Sequence, residues 1–352
     1  MTAGAPSGGF DLRRFLLSGT GWPYLLVPFI PIAIALELVH ASATVIFLTS
    51  AAGVIPTAAL MGRATEELAA RSGPGIGGFL NVTFGNAPEL IIAFFALNEG
   101  LQEVVKASLI GSILGNILLV MGAAMLIGGR KRERQRFDRT AANVTALMLL
   151  LAVVAMIMPA LFELVQGTGL PNPADEAVNY DSDVEHLSIA VAIVLLLTYV
   201  AGLVFSLKTH KDLFNPDHGP DDHVGEPWSV RKSVLMLAGA GVAVGLMSEI
   251  LVGSISEASE SIGLSPFFVG VIVVAIVSSA QIALFAAPVL VLLSLVVGDF
   301  PMALVFNGFE LGAVVLAVFI AQQVVAEGES TWFEGLQLLA VYVVLGLTFY
   351  FV

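Results

Sequence analysis

Apolar windows long enough to cross the roughly 30 Å hydrocarbon core of a bilayer recur at 23–38, 44–61, 77–97, 104–127, 141–161, 187–207, 234–252, 302–324 and 333–352. In lipid every backbone N–H and C=O must be satisfied inside the structure. The fold class predicted is therefore all-α, a polytopic transmembrane helical bundle. One further apolar run, 266–297, is too long for one comfortable crossing and too short for two. Charged residues make up only 12% of the chain, against about 25% in a soluble domain, and the mean hydropathy is +0.92. The net charge of −13 comes from acids in short connections and at span ends, so no nucleic-acid partner is expected. Cysteine is absent, which excludes disulfides and thiolate metal sites. Arg13 and Arg14 precede the apolar stretch 15–38. That stretch reads as a start-transfer helix, longer than a signal peptide and without a convincing cleavage site.

Basic residues set the orientation. Arg13 and Arg14, then Arg63 and Arg71, then Arg130, Lys131, Arg132, Arg134, Arg136 and Arg139 fall in alternate connections, which places the N-terminus in the cytoplasm. Lys208, Lys211, Arg231 and Lys232 agree with this, while the opposite connections hold only Lys106. The segment 163–185 carries acids and neither Lys nor Arg, so it faces outward. After Lys232 there is no basic residue, and the rule is silent on the last third.

Gly85, Asn86, Ala87, Pro88 and Glu89 stand in the middle of the window 77–97. A carboxylate in lipid is costly and calls for a cation or a proton. Pro88 removes a helical N–H and disturbs the bond to the carbonyl four residues back, so oxygens near Phe84 and Gly85 can turn toward an ion. The alternative is a proline-kinked packing helix with a protonated Glu89, which would need neither Asn86 nor the acid.

The halves are weakly similar. GGFLNVTF at 77–84 aligns with GVIVVAIV at 270–277, and 112–121 aligns with 278–287; the offset shrinks between the two by the length of 85–111. With an odd number of spans between them, the copies are inverted, as in many secondary transporters. GGFLNVTFGNAPELI followed by KASLIGSILGN resembles the first signature repeat of the cation/proton exchanger (CAX) family. FSLKTHKDLF and SEILVGSISEASESIGLSPFFVGVIVVAIV resemble its central connection and the opening of its second repeat. The similarity extends over nearly the whole chain from Ser50. It implies two inverted repeats of about five helices behind an N-terminal helix, exchanging calcium or another divalent cation for protons, with no cofactor. The chain departs from the pattern where Val277 runs straight into Ser278. The second repeat is incomplete there and lacks its own acidic motif.

On this resemblance the segments are 1–22 as a cytoplasmic N-terminus, 23–41 as the first transmembrane helix, 42–207 as the first repeat, 208–229 as a polar loop and 230–352 as the second repeat, incomplete between 277 and 278. Glu89 would bind calcium and protons by turns, since a carboxylate in low dielectric gains proton affinity. Asn86 would add a neutral oxygen of the kind calcium accepts. Asn81, two turns earlier, could support the site or simply pack. Gly111 and Gly115 form a small-xxx-small pair. Ser112 and Asn116 share a face and could offer oxygens or an interhelical hydrogen bond, and Ser279 and Gln281 stand similarly in the second half. Glu249 and Glu310 lie inside apolar runs and are further candidate metal ligands. Glu66, Glu67, Glu257 and Glu260 could gather cations at two mouths, although such acids commonly cap solvated helix ends. His210, His218 and His223 lie among aspartates in a connection whose irregular spacing, with Pro216, Gly219 and Pro220, fits a solvated linker better than a metal site.

The competing reading is a transport-impaired membrane scaffold, or an altered product of an intact exchanger. A homo-oligomer could supply the second acid from another subunit. No Ser/His/Asp, HExxH or phosphate-loop arrangement points to an enzyme. The partners expected are calcium or another divalent cation, protons and the lipid bilayer.

Overall fold

The computed structural model describes residues 21–167, 169–173, 175, 178–210, 228–265, 268–273 and 283–352. A 3₁₀ turn, Trp22–Leu26, leads into α1 (Phe29–Leu38). The first repeat follows as α2 (Ala43–Arg71), the broken pair α3 (Gly73–Phe84) and α4 (Ala87–Asn98), α5 (Gln102–Gly129), α6 (Arg139–Gln166) and α7 (Ser182–Thr209). The second repeat holds α8 (Val230–Gly253), α9 (Ile255–Ile262), a π-helical turn at Val269–Val273, α10 (Ala286–Leu293), α11 (Gly308–Ala326) and α12 (Trp332–Tyr350). Five crossings, counting α3 and α4 as one, run from α2 to α7, so α8 enters from the side on which α2 ends. The repeats are inverted, and α2 and α8 pack along one another through the middle of the bundle.

Local chemistry starts the helices. Asp138 accepts from Ala141 N at 2.8 Å and Ser229 from Lys232 N at 3.3 Å. Asn307 with Glu310, and Thr331 with Glu334, form capping boxes that satisfy donors left over at a helix start. Gly263 closes α9 in the left-handed conformation, φ +74°, which costs glycine little. The core runs through Ile92, Leu97, Ile110, Leu114, Leu118, Met156, Met247 and Ile255, all nearly inaccessible.

Two short strands tie distant connections together. Gln135–Arg136 (β1), between α5 and α6, pairs antiparallel with Glu329–Ser330 (β2), between α11 and α12. Glu329 meets Arg134 at 2.8 Å and Arg136 at 3.0 Å. The α11–α12 connection therefore lies on the same face as the six basic residues after α5, which orients the last two spans where charge counting could not.

Two expectations are corrected. The span expected at 302–324 begins only at Gly308, because 302–307 is extended and buried. The apolar run 266–297, too long for one crossing and too short for two, contains a turn at 283–285 just before the eight-residue α10. Lys106, counted above as a loop base, lies inside α5 with 1% exposure.

Candidate cation site

The motif 85–89 falls where one helix stops and another starts. Helix α3 ends at Phe84 and its last turn closes with Gly85 N donating to Asn81 O at 2.9 Å. Asn86, with φ −103° and ψ 6°, leaves the helical region and caps α4. Pro88 therefore does not kink a continuing helix, as the sequence suggested. It occupies the first turn of a new one, where its missing N–H would have had no partner anyway. The carbonyl end of α3 is thus followed, after Gly85 and Asn86, by the amide end of α4, whose first turn carries an acid.

Glu89 is that acid. It shares a helix face with Ile92, Ala93 and Ala96, three, four and seven residues on, and all three are buried in the core. Both carboxylate oxygens of Glu89 are buried and have no hydrogen-bond partner. Asn86 is 0% exposed. On another face of α4, Ala87 and Ile91 pack with Phe84 of α3, Leu60 and Met61 of α2 and Leu237, Ala240 and Val244 of α8.

The other expected ligands are placed differently. Asn81 is exposed on α3, and it is its carbonyl that takes part in the break. Ser112 is buried at 3%, and Asn116 Nδ2 donates to Ser112 O at 2.8 Å. That bond lies within α5, at the start of a π-helical turn, Gly115–Val120, a deviation frequent at functional sites. Gly111 approaches the backbone so closely that a Cβ there would run into Val271 O, whereas a Cβ on Gly115 would meet open space; only one of the small pair makes a close contact. Glu249 is exposed near the end of α8. Glu310 is buried at 1%, but its charged neighbours are Glu103 and Lys106. Ser279 and Gln281, with His218, His223 and the aspartates beside them, lie outside the described residues. Among the described residues no three His, Asp or Glu side chains are grouped to hold a metal.

At the mouths, Glu66, Glu257 and Glu260 are exposed. Glu67 accepts from Trp228 N at 2.9 Å, and Arg63 and Lys232 lie 5.2 and 4.4 Å from the Trp228 ring centroid. His210 stacks on Phe205 with centroids 4.1 Å apart. Sequence reasoning missed both this tryptophan clamp and the pairing of Glu103 with Lys106. The second had a signal, opposite charges three residues apart at the head of an apolar run.

The chain matches the family described as sodium/calcium exchanger protein over residues 42–208. It is 40% identical to a Ca(2+)/H(+) antiporter of Synechocystis, covering 93% of this chain and 96% of that one. It is 38% identical to the Ca(2+)/H(+) antiporter ChaA of Bacillus subtilis, covering 91% and 96%. Among solved structures it is similar to native YfkE, with a TM-score of 0.78, 35% identity and coverage of 94% of this chain and 100% of that one.

Proposed function

Because the chain belongs to the Ca2+/H+ antiporter family of sodium/calcium exchanger-type proteins, we propose that it exchanges calcium for protons at the α3–α4 break. The observation that carries this reading is the carboxylate of Glu89, buried and unpartnered at a helix break. An ion pair or a proton must complete it, and calcium and a proton compete for the same oxygens. Asn86 and the carbonyl end of α3 supply neutral oxygens, which suit calcium's flexible shell. Ser112 and Asn116 shape the neighbouring stretch of α5, and Ser279 and Gln281 would approach from the second repeat. The sequence between the π-helical turn and α10 contains no acid, so exchange runs on the single carboxylate of the first repeat. Helices α2 and α8, the inverted pair on which α3 and α4 respectively pack, are the elements whose movement would open the break to either side. The N-terminus and the β1–β2 face are assigned to the cytoplasm, with 42–207 and 230–352 as the two repeats and 208–229 as the loop between them.

Calcium-45 uptake into proteoliposomes under an imposed pH gradient tests the proposal. Uptake that collapses the proton gradient and is lost in Glu89→Gln is expected. Absence of proton-driven flux, or undiminished flux in the variant, would overturn it.

A further inference from the structure

Away from the break, at the end of the bundle opposite β1–β2, the first turns of α5 present Gln102, Glu103 and Lys106, at 3%, 6% and 1% exposure. Beside them runs the extended segment 302–307, wholly buried. Non-helical backbone survives at this depth only where protein groups satisfy it, and here side chains do so. Gln102 Nε2 donates to Phe300 O at 2.7 Å and Lys106 Nζ to Val305 O at 2.6 Å. Met302 N donates to Ser294 Oγ at 2.7 Å, Leu304 N to Ser188 Oγ at 3.0 Å and Asn307 N to Glu310 Oε2 at 2.8 Å.

The charges around this segment do not balance. Lys106 is ion-paired with Glu103 and lies 5.5 Å from the Tyr180 ring centroid. Among the described residues, the remaining charged groups facing the cluster are Glu163 from α6, Glu310 from α11 and, from the loop before α7, the partly exposed Asp175. Glu103, Glu163 and Glu310 are each more than nine-tenths buried, against one ammonium. Glu163 makes contacts of its own. Glu310 Oε1 and the Tyr180 hydroxyl are buried without partners. The helix start and the Asn307 N–H favour a charged Glu310, but by less than burying an unpaired carboxylate disfavours it.

We propose that this cluster is a proton-binding site separate from Glu89, in which Glu310 carries the proton while Lys106 stays committed to Glu103 and Val305 O. Loss of that proton to water leaves a second carboxylate competing for Lys106. The ammonium is drawn from Val305 O, and the segment 302–307 loosens from α5. The site acts as a proton-dependent latch between the two repeats, and its chemistry is independent of calcium.

Infrared spectroscopy of the full chain in lipid reads the proton directly. A carboxylic-acid C=O band at neutral pH, shifted in D2O, absent in Glu310→Gln and retained in Glu89→Gln, is expected. Glutamine keeps an oxygen for the Asn307 N–H, so the cap persists. In the unaltered chain, amide hydrogen exchange at 302–306 should accelerate by about tenfold or more as the band titrates away at high pH, beyond the intrinsic rise with pH. In Glu310→Gln it should show no such step. No Glu310-dependent acid band, or no step in the unaltered chain, would overturn the latch. Failure of calcium exchange would leave both readouts in place, and the exchange titration of the unaltered chain decides the matter even if Glu310→Gln does not fold.

Discussion

Replacing Glu89 by glutamine removes the carboxylate that the described residues place at the α3–α4 break while keeping its size and one neutral oxygen. In the unaltered chain both oxygens are buried without partners, so no hydrogen bond has to be broken before calcium is bound. Removing one member of a buried charge pair costs about 3–5 kcal/mol. At ~1.4 kcal/mol per tenfold, calcium binding should weaken by roughly two to three and a half powers of ten. Thermal unfolding gives a second scale. At a calcium concentration about 100 times Kd, binding stabilises the unaltered chain by ~2.7 kcal/mol, whereas a site weakened a hundredfold retains only ~0.4 kcal/mol. The calcium-free variant no longer needs a proton to neutralise a buried carboxylate, so its own Tm should equal or exceed that of the parent. Isothermal titration and calorimetric melts in detergent, with and without calcium, measure both quantities. A variant that keeps the calcium-induced rise in Tm, or whose Kd moves by less than about threefold, would refute the assignment of Glu89.

Four further outcomes are expected. With one titratable carboxylate at the break, one calcium ion exchanges for one proton and carries net charge; clamping the membrane at about 100 mV, worth ~2.3 kcal/mol per charge, should change the steady-state calcium gradient by roughly fiftyfold, and a voltage-indifferent gradient would require a second acid. Gly111→Ala forces a methyl against Val271 O and should destabilise by about 1–3 kcal/mol, while Gly115→Ala, in open space, should be neutral or stabilising by up to ~1 kcal/mol; denaturation in detergent compares them, and equal effects would disprove the close approach. The chain has no cysteine of its own, so single cysteines at Glu327 and Arg132 should react with an impermeant maleimide from the same side, and labelling from opposite sides would break the β1–β2 pairing. Hydrogen bonding to Arg134, with Arg136 alongside, holds the Glu329 carboxyl below its ordinary range; a lowered folded value contributes above the unfolded carboxylate range and fades as pH falls through it. Exchange of the Phe137 amide, which bonds Gly328 O at 3.2 Å, should therefore quicken in acid relative to its intrinsic rate and lose that dependence in Glu329→Gln.

The crossings were legible because each apolar window is itself the physical requirement for spanning, and the motif 85–89 was legible because a carboxylate and a proline inside such a window conflict with ordinary packing. What escaped the sequence was whatever depends on contacts between distant segments. Residues 302–306 are as apolar as any helix, and their non-helical backbone is satisfied by Lys106, Ser188 and Ser294, supplied from elsewhere. For the same reason Glu310 could be placed in an apolar run but not beside Glu103 and Lys106. Asn116 sharing a face with Ser112 did not reveal that its amide turns back onto its own helix. Glu249 occupies an apolar run and yet is exposed, because hydropathy along a helix does not say which side meets a neighbour.

The β1–β2 pairing bears on how the protein is made. Helices α11 and α12 reach the membrane after the whole first repeat and carry no basic residue that could instruct the insertion machinery. By then α5 and β1 are long since synthesised. They present an unpaired strand at one face, and above it a glycine surface where Gly122 meets Gly335 so closely that a Cβ on Gly122 would lie 3.0 Å from Gly335 O. The finished first half is thus the template on which the late hairpin is laid. Its direction is inherited from a docking event rather than written in its own charges, and a nascent chain with β1 damaged would leave the C-terminal pair free to insert either way up.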